Sequence, residues 1–265
     1  MAGMTLQEAA DRLGVHYMTA YRYVRLGRLP ATKAGNAWVV DEGDLDDFVT
    51  GVAEGRSRED WTAEFERLLV LGDPTAAWSL IEQALGSSFT PDQVLVEMVL
   101  PAMRSIGDRW ALGEVDIAQE HLATAVARTC VARLSPRFNR RGQSRGTVVV
   151  ALGPGEVHQI GAEVLADLLR GRNFSVLYLG ANTPPDAIAL AVLRADRPVA
   201  VCVAAFASAD SLRRVSEAMA ARAPDVTLVF GGPVVQSAET VRALGGDVFG
   251  PSIPEIVDLV DQLAG

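Results

Sequence analysis

Histidine is scarce in this chain, with only His16, His121 and His158 among 265 residues, so the position of each is informative. There are only two cysteines, Cys130 and Cys202, far apart and without motif spacing. That argues against a disulfide framework and predicts two small buried hydrophobes in a reducing compartment. No apolar run exceeds strand length, so no membrane span is expected. The opening "MAGMTLQEAADRLG" lacks an apolar h-region and reads as a capped helix rather than a signal peptide; the expected location is the cytoplasm. There is no internal repeat and no low-complexity tract. No feature demands a catalytic nucleophile or an acid/base pair, so an enzyme is not expected.

Apolar residues make up 49% of the chain, enough to bury real cores, and the length suits one to three domains. The net charge of −9 is uneven: residues 1–40 carry +3, from Arg12, Arg22, Arg25, Arg28 and Lys33 against Glu8 and Asp11, and the rest carries −12. An acidic chain with a basic head is not a coating for nucleic acid, but it suits a local DNA-reading face.

Three segments separate by pattern. In residues 1–52, "TLQE" is a capping box from Thr5 to Glu8, opening a short helix that ends near Gly14. "VHYMTAYRYVRLGRLP" reads as a second helix stopped by Gly27 and Pro30. "AGN" turns between two short extended runs, which predicts a β-hairpin, and "DEGDLDDFV" starts a closing helix with an acidic first turn. Residues 51–60 read as a linker. Residues 59–138 have a helical period throughout, and a four-helix bundle is expected, with helices near 60–71, 74–86, 91–112 and 115–136. Thr90, Pro91 and Gln93 mark the third start. After a second linker, "NRRGQSRG", residues 146–265 alternate the strands "TVVVAL", "FSVLYLG", "VAVCVAAF", "VTLVFGG" and a weak "DVFG" with helices near 159–171, 184–195, 208–222, 233–244 and 254–263. That alternation predicts a doubly wound, Rossmann-like α/β domain.

In the head, two helices and a hairpin make a winged helix-turn-helix whose second helix would enter a major groove. His16, Tyr17, Thr19, Arg22 and Arg25 are placed to reach bases or phosphates, and Lys33 and Asn36 at the hairpin tip to touch the backbone or minor groove. The competing reading is a small dimerisation module with solvated arginines. The segment from Thr5 to Pro30, with the wing glycines, Trp38 and Val40, resembles the excisionase/MerR-type DNA-binding domain. That resemblance implies double-stranded operator DNA as partner and makes Trp38 and Val40 core.

"EVHQIG" sits between the first strand of the third segment and the helix that follows. His158 there reads as a satisfied loop residue, a general base or a metal ligand. Glu156, two residues earlier, favours ligation, because a metal-bound histidine usually donates its other N–H to an acceptor. Gly161 lets something bulky approach the helix start. The string, with Gly231 and Gly232 after the fourth strand, resembles the cobalamin-binding signature Asp/Glu-x-His-x-x-Gly. By that resemblance His158 is the lower cobalt ligand, Val157 flanks it, the cofactor's benzimidazole tail inserts beside the sheet, and Gly231 and Gly232 line its channel. The family's tail serine falls on Ala205, leaving Ser208 or Ser211 as the replacement.

In the second segment, Trp110 precedes Glu120 and His121 by nine intervening residues, with Gly113 breaking the helix between them. A lone tryptophan on a bundle is more often core than cofactor box, but an ionisable pair on an apolar face needs a polar partner. The spacing resembles that of the cobalamin-dependent MerR-type repressors of carotenoid genes, the CarH/LitR-like adenosylcobalamin photoreceptors. There the tryptophan covers the adenosyl group on the upper face and the Glu-His pair holds that face. The resemblance covers the whole chain in domain order. It implies a homo-oligomer, dimer or tetramer, whose assembly and DNA binding respond to adenosylcobalamin and light. In such photoreceptors a histidine that follows the tryptophan ligates cobalt after photolysis; here Ala111 stands there, which leaves His121 as the nearby candidate. A light-independent cobalamin sensor and a corrinoid carrier for a methyltransferase are the alternatives.

Overall fold

The computed structural model describes residues 3–25, 29–35, 37–54, 57–87 and 89–264, of 49–54 the backbone only. Gly27 and Asn36 lie outside the described residues. The chain forms two compact units, residues 1–130 and 131–265.

In the first unit, β1 (Gly3–Thr5) leads directly into α1 (Leu6–Arg12), followed by α2 (Tyr17–Arg25), β2 (Thr32–Ala34), β3 (Ala37–Asp41) and α3 (Glu42–Glu54). The Thr5 capping box forms as expected. Glu8 N–H donates to Thr5 Oγ1 at 3.3 Å, and Thr5 N–H donates back to the Glu8 carboxylate at 2.7 Å, the bond that chiefly holds the Glu8 carboxyl below the usual range. The hairpin β2–β3 gains a third strand, because β1 pairs antiparallel with β3. Three residues are too short to show strand alternation, which hid β1 in the sequence. Leu6, Ala9, Ala10, Ala20, Leu29, Val40 and Leu45 form the core, with Trp38 packed against it. The alanines let α1 and α2 pack closely. Tyr23 turns away from solvent: its ring lies 5.3 Å from that of Phe48, and its hydroxyl accepts from Gln83 Nε2 at 3.0 Å.

The helices that follow are α4 (Arg58–Val70), α5 (Pro74–Ser87), a run from α6 (Pro91–Gln93) through a π-helical turn (Val94–Val99) into α7 (Leu100–Ala111), and α8 (Ile117–Leu134). The expected linker at 51–60 is largely helix. α3 continues to Glu54, and a Ser57–Asp60 capping box starts α4 at Arg58; a polar composition marks a solvated helix end as readily as a loop. The expected single helix at 91–112 is widened by the π-turn. Pro101 has no N–H to donate back along the helix, and the Thr62 hydroxyl of α4 reaches the Glu97 carbonyl at 2.9 Å.

The second unit opens with the end of α8 and a 3₁₀ turn, Ser135–Phe138. Five parallel strands follow: β4 (Thr147–Leu152), β5 (Ser175–Gly180), β6 (Pro198–Ala204), β7 (Thr227–Gly231) and β8 (Val248–Gly250), in the order β5-β4-β6-β7-β8. Between and after them run α9 (Ile160–Gly171), α10 (Pro185–Arg194), α11 (Ala209–Arg222), α12 (Ala238–Ala243) and α13 (Ile253–Leu263). β4 is buried along its whole length, as a central strand covered on both faces must be. α12 begins five residues later than its pattern suggested. Val235 N–H bonds back to Gly232, a turn occupies the interval, and Ser237 supplies the cap by accepting from Thr240 N–H at 3.1 Å. Among the described residues no helix is long and apolar enough to cross a membrane.

Asp167 on α9 is 2% exposed. Ser135 Oγ and Arg170 Nη1 both donate to it at 2.7 Å. Desolvation nonetheless raises its pKa, against the pull of Ser135 and Arg170. A carboxyl raised on folding contributes stability that is present below its unfolded pKa and is lost as pH rises through the folded one. Asp167→Asn removes this loss. Chemical denaturation should therefore show the variant gaining stability relative to the parent chain between acid and neutral pH; a difference independent of pH would contradict the assignment.

Candidate functional site

The strand order reverses between β4 and β6, the point where open α/β sheets bind ligands beyond the carboxyl ends of their strands. Two loops leave that point in opposite directions: residues 153–159, carrying the Glu-x-His string, and residues 205–208, leading to α11.

Glu156 joins them. It is 1% exposed, and its Oε1 accepts the backbone N–H groups of Ala207 at 3.0 Å and Ser208 at 3.3 Å. Its own carbonyl accepts Asn182 N–H at 2.9 Å, and Asn182 Oδ1 accepts Gly155 N–H at 2.8 Å. Asn182 thereby ties in a third loop, after β5, in a left-handed conformation at φ 49°. The sequence reading made Glu156 an acceptor for the His158 N–H; in the structure its Oε1 closes the gap between diverging loops, and Oε2 is buried without a partner. Asn182 was missed altogether, since an asparagine before Thr-Pro reads as ordinary turn chemistry.

With its neighbour fastened, His158 projects outward. The imidazole is exposed, as is Val157, and it lies 4.9 Å, centroid to centroid, from the ring of Phe206 at a tilt of 31°. Phe206 also lines an apolar slot of about 80 Å³ between the sheet and the α9–α13 layer. Leu165, Cys202, Val229, Ile253 and Ile256 supply its other principal walls, and Gly161 and Gly231 border it. A side chain on Gly161 would occupy space that the backbone leaves open beside Ile253, while one on Gly231 would press on Gly250 and Ile256. Gly232, at φ 96°, has no room for a side chain against the Ala205 backbone. It shapes the turn and does not line the slot.

The serines do not line it either. Ala205 packs into the core on the opposite face of the sheet, with Val149, Val201 and Leu212. Ser208 caps α11 by accepting from Asp210 N–H at 3.2 Å. Ser211 is buried hard against Gly153, its hydroxyl without a partner. Of the two serines expected to replace a tail serine, Ser208 thus serves a helix cap and Ser211 lies buried against the β4 loop.

In the first unit, Trp110 sits in the last turn of α7 and is 48% exposed, rather than core. Gly113, at φ 75°, makes the turn, and an Asp116–Gln119 capping box starts α8. Glu120 and His121 pair with each other, Oε2 to Nδ1 at 2.7 Å, and Thr124 Oγ1 donates to Glu120 at 2.9 Å. The His121 side chain is 72% exposed. In the head, Arg22, Arg25 and Lys33 are exposed and make no ion pair among the described residues. Arg12 is different: it pairs with Glu42 at 2.5 Å and Asp46 at 3.6 Å, chiefly the Glu42 hydrogen bond raising its pKa. His16 also has a structural task, its Nδ1 accepting Met18 N–H at 3.2 Å to cap α2. Tyr17, half-buried, stacks on Tyr21 at 6.4 Å, and Thr19 is half-buried too.

Because the Glu156 carboxylate satisfies two loop N–H groups, Glu156→Ala should destabilise the second unit by about 2 kcal/mol, the cost of stranding buried donors. Glu156→Gln keeps the accepting oxygen and should cost less than half of that. Equal losses in thermal denaturation would show that charge, not acceptance, is what the site uses.

Comparison with known proteins agrees with this geometry. Residues 61–135 and 146–257 match models of B12 binding domains, and residues 4–52 match a helix-turn-helix domain. Trimethylamine corrinoid protein 1 of Methanosarcina acetivorans is 23% identical over 212 residues, covering 77% of this chain and 97% of the relative. Trimethylamine corrinoid protein of Methanosarcina barkeri is 22% identical over 209 residues, covering 76% and 95%. The solved structure of the Methanosarcina barkeri monomethylamine corrinoid protein has the same fold, with a TM-score of 0.67 at 14% identity over 78% of this chain and all of that one. The chain carries a cobalamin-binding domain in two parts behind a helix-turn-helix motif.

Proposed function

We propose that the protein is a cobalamin-responsive transcription regulator, a homo-oligomer that binds operator DNA in the adenosylcobalamin-loaded state and changes its assembly in light. The observation that carries this reading is the helix-turn-helix match at residues 4–52, whose second helix offers Arg22 and Arg25 unpaired to solvent. A corrinoid carrier for a methyltransferase is the second reading, favoured by the names of the relatives. The alignment that takes in 97% of the first relative leaves nearly a quarter of this chain without a counterpart. A carrier has no use for a DNA-reading head.

The residues present suit a corrinoid. Among the described residues no three His, Cys, Asp or Glu side chains cluster to hold a bare metal ion. One outward imidazole, His158, would supply a nitrogen to the cobalt, and the apolar slot beside it would take an aromatic tail. Adenosylcobalamin supplies a cobalt–carbon bond that visible light can break. His158 would hold the cobalt from below, on a loop that Glu156 and Asn182 hold in place. By resemblance, Trp110, Glu120 and His121 would hold the upper face of the group; Trp110 and His121 are exposed, and the half-buried Glu120 is paired with His121. Ala111 has no donor atom, so beside Trp110 and Glu120 it is His121 that would be available to hold the group after light.

His158→Ala should weaken cobalamin binding at least ten-fold and shift the absorbance toward the free, base-off form; unchanged affinity and spectrum would remove His158 from the lower position. Size-exclusion chromatography of the adenosylcobalamin-loaded protein, with operator-fragment retention measured in parallel, should differ between dark and green light. Identical elution and DNA retention, with photolysis confirmed by absorbance, would leave a light-independent sensor. No DNA retention in either state would favour the carrier.

A further inference from the structure

We propose that the slot beside His158 selects among corrinoids by their lower base, accepting a dimethylbenzimidazole tail and rejecting a purine tail. The inference rests on the cobalamin reading above and deepens it from lower ligand to ligand choice.

The argument begins with what the walls can offer. Leu165, Val229, Ile253, Ile256 and Phe206 present only carbon, and no hydroxyl, amide or charged side chain lines the slot. The three positions where a hydroxyl was sought face elsewhere or are engaged: Ala205 in the opposite core, Ser208 on a helix cap, Ser211 against Gly153. The strands that floor the slot spend their backbone groups on the parallel ladder between β4, β6 and β7. One heteroatom remains, the sulfur of Cys202, which is 3% exposed. Burial pushes that thiol's pKa up to about 12, so it stays neutral and is at most a weak hydrogen-bonding partner.

Dimethylbenzimidazole brings to such a slot a flat apolar ring, two methyl groups and no exocyclic donor. Adenine brings an exocyclic amine and additional ring nitrogens. Each of those must give up water on entry, and the walls return no hydrogen bond in exchange. A buried polar group left unpaired costs enough to lower affinity on the order of ten-fold or more. Discrimination here therefore comes from the penalty on the wrong tail, with the apolar fit of the right one adding to it.

Three probes separate the possibilities when titrated into the full-length protein in the dark and followed by absorbance: cobalamin, the adenine-tailed corrinoid, and tail-less cobinamide. The expected order is cobalamin tightest, with the adenine-tailed form weaker by ten-fold or more. Two near-isosteric variants then supply a partner inside the slot, Cys202→Ser and Val229→Thr. Either should narrow the gap by improving the adenine-tailed form, and the second covers the case in which the first fails to fold. Equal affinity for the two tailed corrinoids overturns the proposal, as does a gap that neither folded variant alters. Cobinamide binding as tightly as cobalamin would show that no tail enters the slot, while a spectral response lost in His158→Ala would still stand for the lower ligand. If none of the three binds, the cobalamin reading itself fails.

Discussion

Where strand order reverses, the chain leaves β4 and β6 in opposite directions, and a bare crevice there would carry backbone N–H groups with nothing to accept them. Glu156 resolves this with one oxygen atom shared between Ala207 and Ser208. Everything beyond the sheet edge depends on that contact. It sets the depth of the loop that carries His158, fixes where Phe206 stands over the slot, and places the start of α11. Asn182 braces the same loop from the other side. The outward position of His158 follows from having a buried, twice-bonded neighbour two residues away. A carboxylate two residues before a histidine can thus serve it without touching it.

This explains why the site was only partly legible in the sequence. The string "EVHQIG" stood out because histidine is rare and because the preceding run is a buried strand, so position and chemistry pointed the same way. The partner of Glu156 was not legible, because it is backbone some fifty residues downstream, and backbone leaves no signature in residue identity. The serines misled for a related reason. Ser208 and Ser211 differ by three positions on a helix start, yet one caps that helix and the other is buried against Gly153; only the packing of α11 on the β4 loop separates them. The slot is built from residues of three strands, two helices and the loop that carries Phe206, so no continuous stretch announces it.

At the level of fold, the long periodic elements were readable and the short or locally paid ones were not. β4, β6 and the capped helices declared themselves through apolar runs and Ser/Thr caps. β1 has no periodicity of its own and exists because β3 offers it an edge. The π-turn before Pro101 depends on a hydroxyl from α4, a tertiary partner absent from the local pattern. The segment at 51–60 was polar enough to read as linker, but capping at Ser57 outweighs composition. In each case a contact from another element decided the outcome.

The head poses a problem of magnitude that bears on how such a regulator could work. Its sequence charge is small, and Arg12, one of the contributors, is held by Glu42 and Asp46. What remains for DNA among the described residues is Arg22, Arg25 and Lys33, on a chain with a net charge of −9. Phosphate contacts supply most of the sequence-independent affinity, and so few of them give a weak grip at physiological salt. On the proposed reading a single head would be a poor operator binder, while two or more on one assembly would gain through effective concentration. On this reading the weakness is useful. A head that bound tightly by itself would ignore the state of the assembly, whereas a weak one makes occupancy of the operator depend on how many copies stand together. The grip of Gln83 on Tyr23, between the bundle and the back of α2, ties the head to the bundle within one compact unit, so the head is not a free tether.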